Sequence, residues 1–189
     1  MKYIKFDTID STNDFLKSYS KTNRIDNFFY VYADYQNKGR GQHSNTWQSD
    51  CCKNLLLSIF FKPDWDLSQQ QRLNQAVALS IVKVLQKFNI CDVKIKLPND
   101  IMSGNKKLGG ILIENVIYKK QWKRSIIGIG LNVNQDNFVN LPQAVSMKNL
   151  TGVEYDREKL IKLLIDEFKK QIRRNPQSIK KEFDSLLNQ

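Results

Sequence analysis

The sequence predicts an α+β fold, a mixed and mainly antiparallel β-sheet covered by helices. Three observations predict it. Short apolar or β-branched segments bounded by polar clusters recur along the chain, as strands do. Apolar residues at helical spacing appear near the start, in the middle and near the end. The strand-like segments of the middle follow one another closely enough to be joined as hairpins, with helices at both flanks, which makes a sheet-and-helix sandwich.

Residues 1–7 alternate, Tyr3, Lys5 and Asp7 against Ile4 and Phe6, as a half-buried strand does. Asp10 or Ser11 caps a helix running to Tyr19, with Asp14 three residues beyond Ser11. Phe28 to Tyr35 is aromatic and β-branched, hence a strand, and Asn54 to Phe61 is an apolar strand. Ser68 followed by Gln71 opens a helix carrying Leu73, Val77, Ile81, Val84 and Phe88. Strands are expected at 93–97, 108–117 and 122–133, with Asn99 and Asp100 in a turn after Pro98. The remainder reads as mainly helical, with one face of Leu160, Leu164, Phe168 and Ile172, and a last short helix near 177–187. No repeat, low-complexity tract or proline-rich linker divides the 189 residues, so a single domain over 1–189 is expected.

Composition narrows the function. No apolar stretch approaches the about 18 residues of a membrane span, and the start MKYIKFDTIDSTND lacks the apolar core of an export signal. A cytoplasmic enzyme with no membrane partner is the expectation. The three cysteines, Cys51, Cys52 and Cys91, form no metal-like pattern with the lone His43, and adjacent Cys51 and Cys52 diverge if their segment is extended. Net charge is +11, which raises nucleic-acid binding as one reading. The lysines are spread out, however, and Lys162, Lys169, Lys170, Arg173 and Arg174 look like a solvated helix face. Such a surface equally steers an acidic protein substrate.

Three glycine-and-asparagine segments carry the chemistry: GRGQHSNTW from Gly39, PNDIMSGNKKLGG from Pro98 and GIGLNVN from Gly128. The first resembles a dinucleotide fingerprint but has Ser44 for the third glycine and leads into a polar loop. Gly104 to Gly110 misses the P-loop pattern. A Ser/His/Asp set and an HExxH site are absent too. What remains suits activation of a carboxylate by ATP, in which two anions must meet and water must be kept out. Arg40 and Lys107 supply positive charge, Gly39 and Gly41 offer backbone N–H groups, and Asp100 can hold a magnesium ion shared with phosphates. The polar segment Asn37 to Ser49, long and without periodicity, can close over a hydrolysable adenylate.

Taken in order, Ser11-Thr12-Asn13, Gln36 with Gly39-Arg40-Gly41 and Trp47, Pro98-Asn99-Asp100, Lys107 with Gly110-Ile111-Leu112, and Gly128-Ile129-Gly130 with Asn132 resemble the catalytic core of the biotin protein ligase family (biotin–[acetyl-CoA-carboxylase] ligases). The resemblance runs from Asp10 to about Asn134. It implies a class II synthetase-like catalytic domain that forms biotinyl-5'-AMP from biotin and ATP with magnesium. Biotin is then transferred to a lysine of a biotin carboxyl-carrier domain of a biotin-dependent carboxylase.

By the same resemblance Ser11, Thr12, Asn13 and Gln36 hold biotin with Gly39, Arg40, Gly41 and Lys107. Arg40, Trp47, Asn99, Asp100, Lys107 and Asn132 line the nucleotide, and Lys107 and Arg40 are the catalytic pair. Against the family pattern, Leu97 replaces the usual tryptophan and the loop carries Gln42 and Asn45 where relatives carry more arginine. The usual small C-terminal β domain is missing from the expectation, as is a DNA-binding segment before Tyr3, so no DNA partner is expected by that route. Oligomeric state stays open, a homodimer included. A lipoate–protein ligase is the alternative enzyme, and a non-catalytic biotin-binding or nucleic-acid-binding protein the alternative class. Ser11, Thr12 and Gln36 suit a hydrogen-bonding ureido ring better than an apolar dithiolane.

Overall fold

The computed structural model describes residues 2–43 and 45–187. Met1 of the expected first strand and Ser44 of the polar loop lie outside them. The strands are β1 (Tyr3–Ile9), β2 (Tyr30–Gln36), β3 (Leu55–Phe61), β4 (Val93–Lys96), β5 (Asp100–Ser103), β6 (Lys106–Tyr118) and β7 (Gln121–Leu131). The helices are α1 (Thr12–Thr22), α2 (Gln70–Lys87), α3 (Met147–Thr151), α4 (Arg157–Gln171) and α5 (Pro176–Ser185). All seven strands belong to one mixed sheet in the order β1-β2-β3-β7-β6-β5-β4. β1 and β2 are parallel, while β2–β3, β4–β5 and β5–β6 are antiparallel. This is the α+β class that the sequence pattern predicts. Among the described residues no helix is long and apolar enough to cross a membrane.

Backbone contacts divide the chain into two compact units: Met1–Gln69 with Ile111–Gly130, and Gln70–Gly110 with Leu131–Gln189. In the first unit, β1 lies on the sheet edge and only one of its two faces is partly buried, as its alternation requires. β3 is apolar apart from Ser58 and is buried along its whole length. Ser11 starts α1 by accepting a hydrogen bond from the Asp14 N–H at 3.3 Å, which satisfies one of the helix's unpaired donors. Leu16 of that helix then enters a core with Phe29, Val31, Phe60 and Ile126. Phe6, Phe15, Tyr19 and Phe29 make successive ring contacts along it, 4.8 to 5.8 Å between centroids.

In the second unit, α2 is buried on more than the predicted face: Ala78, Leu79 and Val82 are as enclosed as Leu73, Val77 and Ile81. It packs against α4 and α5 and against β4 and β5. Leu160, Leu164 and Phe168 of the predicted α4 stripe are buried, while Ile172 is half-buried at the helix's C-cap; Ile179 and Phe183 of α5 are buried too. Lys162, Lys170 and Arg173 are exposed, but Arg174 is drawn into a 2.6 Å pair with Glu182.

Two expectations are corrected. Asp100 is not a turn residue: the turn is Leu97–Asn99, and Asp100 opens β5, opposite Lys96 on one side and Gly110 on the other. The stretch after β7 is not mainly helical before α4. Its one helix there is the five-residue α3, because side-chain amides occupy the backbone groups that a helix would use. Asn134 accepts from the Tyr155 N–H at 2.9 Å and donates to the Tyr155 carbonyl at 2.8 Å, an imitation of a strand pair.

Candidate active site

The first unit brings together the residues around Thr12. Gln36 ends β2, and its Oε1 accepts from both the Thr12 N–H (2.7 Å) and the Thr12 hydroxyl (2.9 Å). Ser58 of β3 lies 2.8 Å from Thr12 Oγ1 and 2.5 Å from Asn13 Oδ1, with one proton to give. Asn13 in turn donates to Glu114 Oε2 at 3.0 Å. Ser11, Thr12, Asn13 and Ser58 are buried, so this is a fixed polar floor of donors and acceptors and not a solvated helix start. Ser11 performs its capping role there as well.

The loop that carries Arg40 is tied down at several points. Asn37 and Lys38 donate their N–H groups to the Ile9 and Asp10 carbonyls, 2.9 Å each, and the Lys38 amine pairs with Asp10 at 2.7 Å. Arg40 and Thr46 form an antiparallel bridge, flanked by Trp47 N–H to Gly39 O (2.9 Å) and Gly41 N–H to Asn45 O (2.7 Å). Glycine fits closely at 39, against backbone, and at 130, against a side-chain ring. A Cβ on Gly39 would stand 2.5 Å from the Trp47 carbonyl oxygen, and one on Gly130 would stand 2.6 Å from the Trp47 ring. The glycine at 130 is thus the seat of the indole.

Arg40 meets Asp14 with two nitrogens, at 3.1 and 2.6 Å, and Glu114 at 2.8 Å. Lys17 reaches the other Glu114 oxygen at 2.9 Å. Burial pushes the Glu114 carboxyl up, but hydrogen bonds from Lys17 and Asn13 and the charge of Arg40 outweigh it and hold the group below the usual carboxylate range. Burial likewise works against the Arg40 charge, and Glu114 and Asp14 together more than restore it. Neither Glu114 nor Ser58 stands out in the motifs, and Asp14 does so only as part of a cap. Glu114 had a readable signal: it is the one acid within the apolar run Ile111 to Ile117, and a charge there needs a partner.

In the second unit, the Lys107 amine stands 2.6 Å from Asp100 Oδ1. A bulge sets this pair. Ile101 faces Gly109 while the next residue, Met102, faces Lys107, so Leu108 is the extra residue and the side chain of Lys107 is re-aimed. The backbone of Lys107 is gripped from its other edge by Gln143 O (2.6 Å) and Val145 N–H (3.0 Å). Asn132, buried, donates its side-chain amide to the Val145 carbonyl at 3.1 Å and to the Lys107 carbonyl at 3.4 Å. Asn132 therefore braces the strand that presents Lys107. Asn99 lies in the turn just before Asp100. Among the described residues no group of three or more His, Cys, Asp or Glu could hold a metal alone. A single carboxylate such as Asp100 still fits magnesium shared with substrate phosphates, the usual mode for that ion.

The first unit thus holds a glycine loop with an arginine beside a buried polar floor, and the second unit holds a lysine beside an acid on a bulged strand. Residues 5–132 match the biotin/lipoate A/B protein ligase family, and the chain belongs to that family. A bifunctional ligase/repressor BirA from Bacillus spizizenii is 33% identical over 147 residues, 76% of this chain and 45% of that protein. A biotin–[acetyl-CoA-carboxylase] ligase from Mycobacterium tuberculosis is 28% identical over 146 residues, 75% of this chain and 53% of the relative. The chain spans about half the length of these curated relatives. Among solved structures, a biotin protein ligase from Aquifex aeolicus in complex with biotin and ATP is similar with a TM-score of 0.83 and 25% identity, covering 98% of this chain and 78% of that one.

Proposed function

We propose that this chain is a biotin protein ligase, and that residues 1–189 make up one catalytic domain of that type. The reaction activates biotin with ATP to biotinyl-5'-AMP and passes the biotinyl group to a lysine of a carboxyl-carrier domain. The observation that carries this reading is the polar floor of Thr12, Gln36, Ser58 and Asn13. A ureido ring has N–H groups to donate and a carbonyl to accept, so it can take over bonds that these groups now make to one another, whereas the dithiolane of lipoate has nothing to exchange for them.

In the first step an oxygen of the biotin carboxylate attacks the α-phosphorus of ATP, and the bond to pyrophosphate breaks. Arg40, already placed for a carboxylate fork by its bonds to Asp14, exchanges those anions for the phosphate. Lys107 stabilises negative charge on the reacting oxygens once its amine turns from Asp100. Asp100 is the carboxylate that would hold magnesium, which would supply positive charge to the phosphates. Asn99 and Trp47 contribute to the nucleotide side, Asn132 by bracing Lys107, and Ser11, Gly39 and Gly41 to the biotin side. In the second step the acceptor amine attacks the acyl carbon and AMP leaves.

The partner in this reading is the acidic carrier domain of a biotin-dependent carboxylase, met by a chain of net charge +11. We place the reaction in the cytoplasm, where the three unbridged cysteines would stay reduced. The test is biotin-dependent exchange of pyrophosphate into ATP, with lipoate as the control. Exchange with biotin alone is expected; exchange driven equally by lipoate would overturn the assignment of the ring site.

A further inference from the structure

Cys51 and Cys52 are adjacent, and in an extended segment their side chains would diverge. The chain turns there instead. The Cys52 N–H donates to the Asp34 carbonyl at 3.0 Å, the Lys53 N–H to the Asp50 carbonyl at 3.4 Å, and Cys52 takes a left-handed φ of 62°. This brings the two sulfurs to 3.2 Å of each other, and both residues are exposed. The pair is held from both sides: Asp34 belongs to β2, and β3 begins at Leu55.

We propose that Cys51–Cys52 is a redox modification site, converted by peroxide-class oxidants to a vicinal disulfide and restored by thiols. A disulfide bond is about 2.0 Å long, so the sulfurs must close by roughly 1.2 Å from the distance they already hold. One thiolate attacks hydrogen peroxide, forming S–O as O–O breaks, and hydroxide leaves with a proton as water. The neighbouring thiol then attacks that sulfur, S–S forms as S–O breaks, and a second water departs. Two thiols lose two electrons and one peroxide becomes two waters. The neighbour acts as a resolving thiol, which intercepts the sulfenic acid before irreversible oxidation.

The bond so formed is a labile one. Neighbouring Cα atoms are about 3.8 Å apart across a trans peptide, short of the roughly 4.4–6.8 Å that unstrained disulfides span, and strained exposed disulfides are those that thiols reduce readily. Cys91 supplies an internal control. It is exposed as well, and its sulfur donates to the Asn89 carbonyl at 3.6 Å, with no thiol pair like that of Cys51 and Cys52 among the described residues. The site does not depend on the ligase reading, although it lies at the foot of the loop that bears Arg40 and Trp47.

The experiment treats the full chain with hydrogen peroxide, blocks remaining thiols with iodoacetamide and digests with trypsin. One tryptic peptide, residues 41–53, holds both sulfurs, and another, residues 88–94, holds Cys91. The expected result is a 41–53 peptide lighter by two hydrogens, unalkylated, and alkylated at both cysteines after dithiothreitol. Cys91 should show alkylation or an oxygen adduct instead. In C52S the remaining Cys51 should carry a sulfenic acid that dimedone traps, with the hydrogen loss abolished. Wild-type 41–53 peptides bearing dimedone adducts, sulfonic acids or links between molecules would overturn the proposal.

Discussion

Replacing Glu114 by Gln tests whether the carboxylate at the centre of the first unit organises the Arg40 loop. The change keeps the shape and the contact to Asn13 but removes the charge that Lys17 and Arg40 meet at 2.9 and 2.8 Å. Charged hydrogen bonds that are fully buried are worth about 1.5–3 kcal/mol each. Here the Glu114 side chain is 18% exposed, but Lys17 and Arg40 are 41% and 39% exposed, so solvent screens both pairs and each falls toward the ~0–1 kcal/mol of surface pairs. Arg40 also keeps Asp14. The expected net loss is about 1–2 kcal/mol. In a chain of this size that lowers Tm by roughly 3–6 °C with an unchanged denaturant slope. A local loss of ~1 kcal/mol also raises the open population of the loop about five-fold, and tryptic cleavage after Arg40 reads that population when reclosing is fast. A K17M/E114Q cycle separates the terms: coupling of about 0.5 kcal/mol or more is expected. An E114Q protein within ~1 °C of wild type, cleaved at the wild-type rate and uncoupled from Lys17, would refute the reasoning.

Lys107→Ala should lower biotin-dependent pyrophosphate exchange by about 10²–10³ while circular dichroism and Tm hold, since the pair it loses with Asp100 is partly exposed; near-normal exchange would take Lys107 out of the catalytic set. Gly128→Ala and Gly130→Ala should differ in kind. The first pushes a methyl within 2.6 Å of buried Asn13 and should cost about 1–3 kcal/mol in urea denaturation, whereas the second displaces the Trp47 ring on its loop and should shift tryptophan emission more than stability. Acid should act through Glu114. Its folded-state value lies below the unfolded one, so its contribution is complete above about pH 4.3 and is lost as pH falls through the folded value, a loss seen in wild type and missing in E114Q. Transfer to a limiting acceptor should slow as salt rises while pyrophosphate exchange stays level, and equal sensitivity of both would count against charge steering.

What the sequence made legible follows the physics of each element. β3 and α4 were readable because apolar residues dominate both, and the single Ser58 of β3 does not interrupt the pattern enough to hide it. β5 was hidden for the opposite reason. Four residues between a proline turn and a glycine tip are too few for a periodicity, and Asn99-Asp100 carry turn propensity that the pairing of Asp100 with Lys96 and Gly110 overrides. The 132–146 segment misled because side-chain amides, invisible to any apolar period, replace backbone partners there. Cys51 and Cys52 diverge only in an extended chain, and the turn that joins them depends on a bond to Asp34, far away in sequence.

The candidate site splits along the same line. Residues named by motif, Thr12, Gln36, Arg40 and Lys107, stand where a short pattern fixes a backbone feature: a capped helix start, a strand end, a glycine hairpin, a bulge. Their partners are scattered, because a hydrogen-bond partner needs proximity and not spacing. Ser58 lies 46 positions from Thr12, and Glu114 lies 74 from Arg40. Those partners decide how the named residues behave. Without Glu114 and Asp14, Arg40 would be an unanchored cation on a polar loop, and the phosphate contact proposed for it would bear the full entropy of ordering a long side chain. With them, the guanidinium is already planar-paired, and phosphate has only to exchange one anion for another. The same holds for Lys107, whose aim is set by the extra residue Leu108 and by an asparagine from after β7. On the proposed reading the motif residues supply the reactive groups, and long-range contacts that leave no motif supply their geometry.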